Sequence, residues 1–433
     1  MSLKITDQTA EKAFFISREL WEHPELSGEE YRSAEFLAEQ IAAEGFQVTK
    51  GVTGLETAFV AEWTPVRSAD KRSDGPEVPT VAFLAEYDAL PGYGELSPDG
   101  SGNAHACGHN WISAAAYAAA VTLKQAVEEA EKKGERRPVR IVLVGTPAEE
   151  TWGGKITMCR EGLFRELSPD AVFEAHLSGQ PEHCFANCLL ALTNIRYTFR
   201  GKASHASAHP ENGINALDAL NLTFAGIACL RQHVLPGTKL HGKIVEGGLA
   251  CNIIPDTGVM DYYVRAPKKD YLEKVIERVN DCARGAALMT GCRVEIRRDE
   301  NTFYDMQNNT PLNARAEEHL RALAEADREA AAAEGRDFAM SGEIREDDLF
   351  TAPSGDIGNV SYEAPSFYGV FSTAPVSGGA DIHDREYLAV TDSEYAHHLL
   401  KLAAGVMAST GLDILTDADF RAQCREAFLK QTS

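Results

Sequence analysis

Residues 139–150 read Val139-Arg140-Ile141-Val142-Leu143-Val144-Gly145-Thr146-Pro147-Ala148-Glu149-Glu150. The mostly β-branched run from Val139 to Val144, apolar but for Arg140 and closed by Gly145-Thr146-Pro147, predicts a buried strand. Two adjacent acids follow its carboxyl end. Upstream, His109 to Lys132 has a helix pattern, stopped by Gly134 and Pro138. Before that, Val81 to Leu84 is a short apolar run and Thr57 to Trp63 reads as a strand. Ala10 to Trp21 and Tyr31 to Ala43 read as amphipathic helices, and Thr64 to Pro79, with Pro65, Pro76 and Pro79, as a surface loop. Downstream, Ala171 to Glu174 is another short strand. Strands alternating with helices imply an α/β domain with a largely parallel sheet.

The pattern then changes. Asn194–Arg200, Lys239–Glu246, Gly258–Arg265 and Cys292–Arg297 read as strands. Gly213 to His233, capped by Asn212, and Asp270 to Met289 read as helices. The order β-α-β-β-α-β is the ferredoxin-like split unit. After it the first pattern returns: a helix from Leu312 to Ala333, a polar loop from Glu334 to Pro353, a strand from Ser366 to Phe371 and a helix from Ser393 to Ser409. A length of 433 residues suggests about three domains. The element order supports two: residues 1–189 with 304–433, interrupted by an inserted α+β domain at 190–303.

Composition excludes several classes. Hydrophobic residues at 44% and charged residues at 25% are those of a folded chain, not a disordered one. Lys+Arg 42 against Asp+Glu 65 leaves −23, which opposes nucleic-acid and anionic-membrane partners. Nine cysteines, an odd number without paired C-x-x-C motifs, point to free thiols in a reducing compartment. The start, Met-Ser-Leu-Lys-Ile-Thr-Asp, has no apolar h-region, and no run of about 18 apolar residues is evident. The expectation is a cytoplasmic protein without a membrane span.

The chemistry gathers at predicted strand ends. His105-Ala106-Cys107-Gly108-His109-Asn110 offers a thiolate and an imidazole one glycine apart, both good ligands for zinc-like metals. Pro147-Ala148-Glu149-Glu150 places two acids where burial is costly without solvent or a cation. His176 follows the strand at 171–174, Asp88 follows the one at 81–84, and His383 lies beyond the last strand. Each alone has an ordinary structural reading, as a capping His, a solvated helix start or a core histidine. Together, Asp88, Cys107, His109, Glu149, Glu150 and His176 fall on the sheet edge where α/β proteins bind ligands. Six metal-competent groups there favour a metal site, with enough ligands for two ions. Glu149 then suits a general base, Glu150 a ligand, and Asp88 the orientation of a ligand imidazole. In the inserted domain, Arg265 is a natural clamp for a carboxylate, with Asn252 helping to hold the same group, and His205 is a donor for an oxyanion. For these three, a turn or a solvated strand end reads equally well from spacing alone. A nucleophilic Cys107 with a histidine base is a rival enzyme reading. A metal-binding homologue without activity is a third.

These residues resemble the aminoacylase/carboxypeptidase-type metallopeptidase family, and within it the amidohydrolase subfamily. The motifs that carry the resemblance span nearly the whole chain: Trp21-Glu22-His23-Pro24-Glu25, Glu86-Tyr87-Asp88-Ala89-Leu90-Pro91, the stretch from His105 to Asn110, Pro147 to Glu150, Gly201-Lys202-Ala203-Ser204-His205-Ala206, Asn215-Ala216-Leu217-Asp218-Ala219, and Ser354-Gly355-Asp356-Ile357-Gly358-Asn359-Val360-Ser361. Asn110, and Glu86-Tyr87-Asp88 in place of Asp-Met-Asp, are similar to the branch with aminobenzoyl-glutamate hydrolase and dipeptidases acting on β-alanyl peptides. The resemblance implies a zinc-peptidase-like catalytic domain and a lid that also forms a homodimer interface. It implies two divalent ions, zinc or manganese, on Cys107, His109, Glu150, His176 and His383, with Glu149 as base and Asp88 in support. Ser377-Gly378-Gly379-Ala380 departs from the usual surroundings of the last ligand, and His397 and His398 compete with His383. It further implies that His205, Asn252 and Arg265 meet a small substrate with a free carboxylate, an N-acyl or N-aroyl amino acid or a dipeptide. In that family the lid histidine reaches the site of the neighbouring protomer.

Overall fold

The computed structural model describes residues 2–65, 78–346 and 352–432. The strands of its two main sheets are β1 (Gln47–Lys50), β2 (Phe59–Trp63), β3 (Thr80–Glu86), β4 (Arg140–Thr146), β5 (Ala171–Ser178), β6 (Ala191–Arg200), β7 (Lys239–Glu246), β8 (Thr257–Ala266), β9 (Arg293–Arg298) and β10 (Ser366–Ser372). The helices that matter here are α1 (Asp7–Glu22), α2 (Tyr31–Ala43), α3 (His109–Lys132), α4 (Gly154–Arg160), α5 (Ala216–Leu230), α6 (Lys269–Thr290), α7 (Thr310–Glu334) and α8 (Glu394–Thr416). The chain divides into two units. One is Met1–Asn187, Gln307–Asp347 and Asn359–Ser433; the other is Cys188–Met306 with Asp348–Gly358.

In the first unit the sheet order is β1-β2-β4-β3-β5-β10. β4, β3, β5 and β10 are mutually parallel, and β2 and β1 extend the sheet antiparallel. Every residue of β3 and β5 is buried, as expected for parallel strands covered on both faces. The Ala-rich first half of α3 is buried all round, because small side chains let its neighbours approach closely. The Trp111 indole N–H in that half donates to the Ala396 carbonyl of α8 at 2.7 Å. By length and composition α8 is apolar enough to cross a membrane, contrary to the expectation that no such stretch exists. Its apolar window is 78% buried inside the unit, as a core helix requires. The parallel strands all point their carboxyl ends to one edge, so residues just past Glu86 and Thr146, and those near Ser178, share that edge.

The second unit is a four-stranded antiparallel sheet, β9-β6-β8-β7, with α5 and α6 packed on its apolar face. Ile195, Tyr197 and Phe199 of β6 and Met260, Tyr262 and Val264 of β8 alternate into that core. This is the ferredoxin-like arrangement expected. β7 is an edge strand, exposed over most of its length.

Several expectations need correction. The helix placed at 213–233 with an Asn212 cap runs from Ala216 to Leu230, and Asn215 is the cap: its side-chain oxygen accepts from the Leu217 and Asp218 amides. Pro210–Asn212 forms a separate 3-10 turn. The strand Gln47–Lys50 was not anticipated. Residues 352–358 fall with the second unit rather than with the catalytic portion. Lys239 Nζ donates to the Ala352 carbonyl, the Leu190 amide to the Pro353 carbonyl, and Arg265 Nη1 to Ser354 Oγ. The stretch from Glu334 to Pro353 is not a plain polar loop in its described part: Met340 is buried, and Arg336 pairs with Asp327 at 2.7 Å. Residues 347–351, and residues 66–77 of the expected loop at 64–79, lie outside the described residues.

Candidate active site

The carboxyl edge of the first sheet gathers the predicted ligands. Gly108, with φ +84, reverses the chain between Cys107 and the start of α3. A Cβ there would sit 3.1 Å from Leu177 Cδ1, so glycine lets the motif close onto the sheet. Donor atoms of Cys107, His109 and His176 lie within 4.8 Å of one another, as do those of Cys107, Glu150 and His383, and those of His109, Glu149 and Glu150. Cys107, His109 and Glu150 are each shared between two of these groups, which suits two adjacent centres. His383 approaches Glu150 Oε2 at 3.4 Å through Nε2. Of its competitors, His397 bonds Asp392 and stacks on Phe14, and His398 packs on Phe338.

The two buried imidazoles are set for metal. His109 Nδ1 is 2.9 Å from Asp88 Oδ1, and His176 Nδ1 is 2.7 Å from the Leu177 carbonyl. Both partners are acceptors, so both Nδ1 atoms carry a proton and each Nε2 faces inward, able to ligate a metal in the neutral form of the ring. His109 Nε2, Glu150 Oε1 and Glu86 Oε2 are buried without a hydrogen-bond partner. The Glu86 and Glu150 oxygens face His109 Nε2 at 3.4 and 3.8 Å, and such a group is costly unless positive charge, a metal ion or a proton on that ring, sits among them. The residues present therefore fit a divalent metal centre.

Electrostatics agree. Burial alone would raise the Asp88 carboxyl, yet the His109 ring, the Glu150 amide and the Ser27 hydroxyl bring it down to about 2. Burial pushes His109 down, but Glu86, Cys107 and Asp88 win and raise it, so the cage favours positive charge at that point. Burial and then Glu150 push the Cys107 thiol up. A thiol in that setting is no ready nucleophile, which counts against the Cys107 hydrolase reading. Glu30, also buried, is pushed up to about 7 by burial and then by Asp88.

Some members of this constellation escaped the sequence. Lys155 of α4 is fully buried and pairs with Glu86 and, at 3.3 Å, with Glu174. Burial raises the Glu86 carboxyl, but Lys155, His109 and His176 bring it below its usual value. The available signal was that Glu174 interrupts and Glu86 ends an otherwise apolar strand, and a buried charge there requires a partner. Gly154 was also missed: a Cβ there would clash with the Pro147 carbonyl oxygen, so α4 packs directly on the loop that carries Glu149.

The second unit holds the other three candidates, and it does not bring them together. His205 is exposed, and its Nδ1 accepts from the Ser207 and Ala208 amides at 3.3 and 3.2 Å. That places its proton on Nε2, as a donor. The exposed Asn252 is its neighbour, its carbonyl accepting from the Ala206 amide at 3.0 Å. Arg265 is eight residues further along β8 than Thr257, roughly 27 Å at about 3.4 Å per residue. Asn252 precedes the first residue of β8, so in one chain it and Arg265 stand at opposite ends of that strand rather than side by side, contrary to expectation. Arg265 instead pairs across the sheet with Lys239. Neither cation has a carboxylate partner among the described residues. Burial pushes Arg265 down, and burial and then Arg265 push Lys239 down.

A family model described as peptidase family M20/M25/M40 matches residues 82–406. The chain belongs to that family. It is 36% identical over 414 residues to a Xaa-Arg dipeptidase of Mus musculus, covering 94% of this chain and 87% of that protein. It is 29% identical to a p-aminobenzoyl-glutamate hydrolase polypeptide of Escherichia coli (strain K12), covering 95% and 90%. Among solved structures, a dinuclear metal-binding peptidase of the M20 family from Bacillus subtilis superposes with a TM-score of 0.61 at 21% identity, covering 93% of this chain and 100% of that one. The fold is thus that of M20 peptidases, and the chain is a hydrolase of peptide or amide bonds.

Proposed function

We propose that this M20 hydrolase cleaves the amide of an N-acyl or N-aroyl amino acid, or of a small dipeptide, with metal-activated water. The observation that carries the reading is the set of overlapping donor groups around His109 and Glu150, with buried acceptors left unpaired beside Glu149. Cys107, His109, His176, Glu150 and His383 would hold two divalent ions, zinc or manganese. When bound there, such ions lower the pKa of water toward about 7 and polarise a carbonyl. Glu149 takes the proton of the attacking water and passes it to the leaving nitrogen. Asp88 keeps His109 in the tautomer that presents Nε2. Arg265, with Lys239 beside it, grips the free carboxylate of the substrate. His205 Nε2–H donates to the developing oxyanion, and Asn252 holds its flank.

The separation of Asn252 from Arg265 supports a homodimer in which a second copy supplies His205 and Asn252. The edge strand β7, with Ile244 and Val245 exposed, is a surface suited to that pairing. Nine free thiols support a reducing, cytoplasmic location.

The test is an activity screen with zinc and with manganese, on aminobenzoyl-glutamate, hippurate, acetyl amino acids, Xaa-Arg dipeptides and β-alanyl dipeptides. Chelation should abolish hydrolysis, and returning metal should restore it. Glu149→Ala should keep its metal while kcat falls by about 10²–10⁴. Full activity in metal-free protein would overturn the reading.

A further inference from the structure

The segment Glu25-Leu26-Ser27-Gly28-Glu29-Glu30, between α1 and α2, supplies neither a ligand nor the base in the chemistry above, yet it touches both carboxylate-bearing loops of the site. The Ala89 amide donates to the Glu25 carbonyl at 2.7 Å, and Leu26 forms a bridge with Ala89. Ser27 Oγ donates to Asp88 Oδ2 at 2.7 Å. Glu30 is completely buried. Its Oε1 accepts from the Gly28 amide and from the Ala148 amide, each at 2.8 Å, and its Oε2 accepts from Thr57 Oγ1 at 3.0 Å.

Ala148 is an unusual residue to find at that contact. Its φ is +61, in the left-handed region that a side chain other than glycine rarely occupies. Its carbonyl accepts from the Gly153 amide at 2.9 Å. Two residues on, the Glu150 amide donates to Asp88 Oδ2 at 2.9 Å. Glu149 is thus carried between two amides, each fixed by a buried carboxylate, Glu30 before it and Asp88 after it. Without an acceptor at Glu30, the Ala148 N–H would be buried unpaired, and only the bond from the Gly153 amide to its carbonyl would remain to hold the left-handed turn.

We infer that Glu30 is a positioning residue for the general base: it holds the Ala148 peptide in the conformation that aims Glu149 at the reacting atoms. Ser27 does the same through Asp88. The inference rests on the metal-hydrolase reading above only for its kinetic part. Its structural part concerns the Ala148 amide and needs no metal.

Three variants test it. Glu30→Ala removes the acceptor. Glu30→Gln keeps an Oε1 for both amides and changes only the side facing Thr57, whose hydroxyl can turn. Glu30→Asp keeps the charge but is one methylene short, and it replaces Glu30→Ala if that variant does not fold. Amide hydrogen exchange of the metal-free protein should show Ala148 exchanging at least about tenfold faster in Glu30→Ala and Glu30→Asp, and close to wild type in Glu30→Gln. With metal restored, kcat should fall by about a hundredfold in the first two, with KM within about twofold and metal content unchanged. Glu30→Gln should recover most of the rate. Wild-type protection and kcat in Glu30→Ala, or a Glu30→Gln variant as impaired as Glu30→Ala, would overturn the inference. A wild-type enzyme without metal-dependent hydrolysis would instead sink the functional reading, and the exchange result at Ala148 would still decide this one.

Discussion

Asp88 bonds through both of its oxygens. Oδ1 takes the His109 Nδ1 proton, and Oδ2 takes the Ser27 hydroxyl and the Glu150 amide. All three partners are donors, so the residue must be a pure acceptor, and its depressed pKa keeps it one through the neutral range. Asp88→Asn preserves volume but turns an NH₂ toward either the imidazole N–H or the Ser27 and Glu150 donors. Donor then faces donor, and His109 loses the partner that fixes its tautomer. We expect metal affinity to drop by about 10–100-fold, measured by titration against a chelator buffer, with the fold intact. An unchanged affinity would show that Asp88 does not orient His109 toward metal.

At the scale of elements, much was legible because local signals and tertiary demands coincided. The limits of α3, His109 and Lys132, are those expected, since Gly108 and Gly134 punctuate the chain on either side. In the second unit β6 and β8 alternate as half-buried strands must. The start of α5 was not legible: Asn212 and Asn215 are both good caps, and the choice falls to a pair of hydrogen bonds between Lys202 and Ile214 that keep residue 214 extended. The same division holds in the site. Cys107, His109, Glu150 and His176 were readable because strand ends bring them together. Glu30 and Lys155 were not, because their partners are distant in sequence and close only after folding. A similar through-space contact joins α7 to α8, where Asp413 Oδ2 accepts from Arg315 at 2.7 Å and lies 3.0 Å from His319 Nε2. Burial raises the Asp413 carboxyl, but His319 and Arg315 outweigh it and lower it. Its folded pKa is below the unfolded value of about 3.9, so the stabilisation is complete above that value. It is lost as pH falls through the folded pKa. Asp413→Asn should therefore cost about 1–2 kcal/mol at pH 7, by urea unfolding, and progressively less as pH falls below the carboxylate range. A penalty independent of pH would assign the contact to packing instead.

For the whole molecule, the length of β8 decides what one chain can do alone. His205 and Asn252 lie before its first residue and Arg265 next to its last, so within one chain they stand at opposite ends of the strand. If all three act on one substrate, two copies must contribute, one giving Arg265 and the other His205 and Asn252. A two-fold dimer then has two sites, each built from both protomers. His205→Ala and Arg265→Ala should each be nearly inactive as homodimers. In a heterodimer, one site collects both defects and the other collects neither. Co-expression with random pairing makes half of the dimers mixed, and half of their sites intact, so roughly a quarter of wild-type activity should return. The measurement is kcat per protomer of the co-purified mixture, against each variant purified alone and mixed without exchange. Recovery toward that level places His205 and Arg265 of different copies at one site. A mixture no better than its parts confines each site to one chain, and Arg265 would then act without His205 and Asn252.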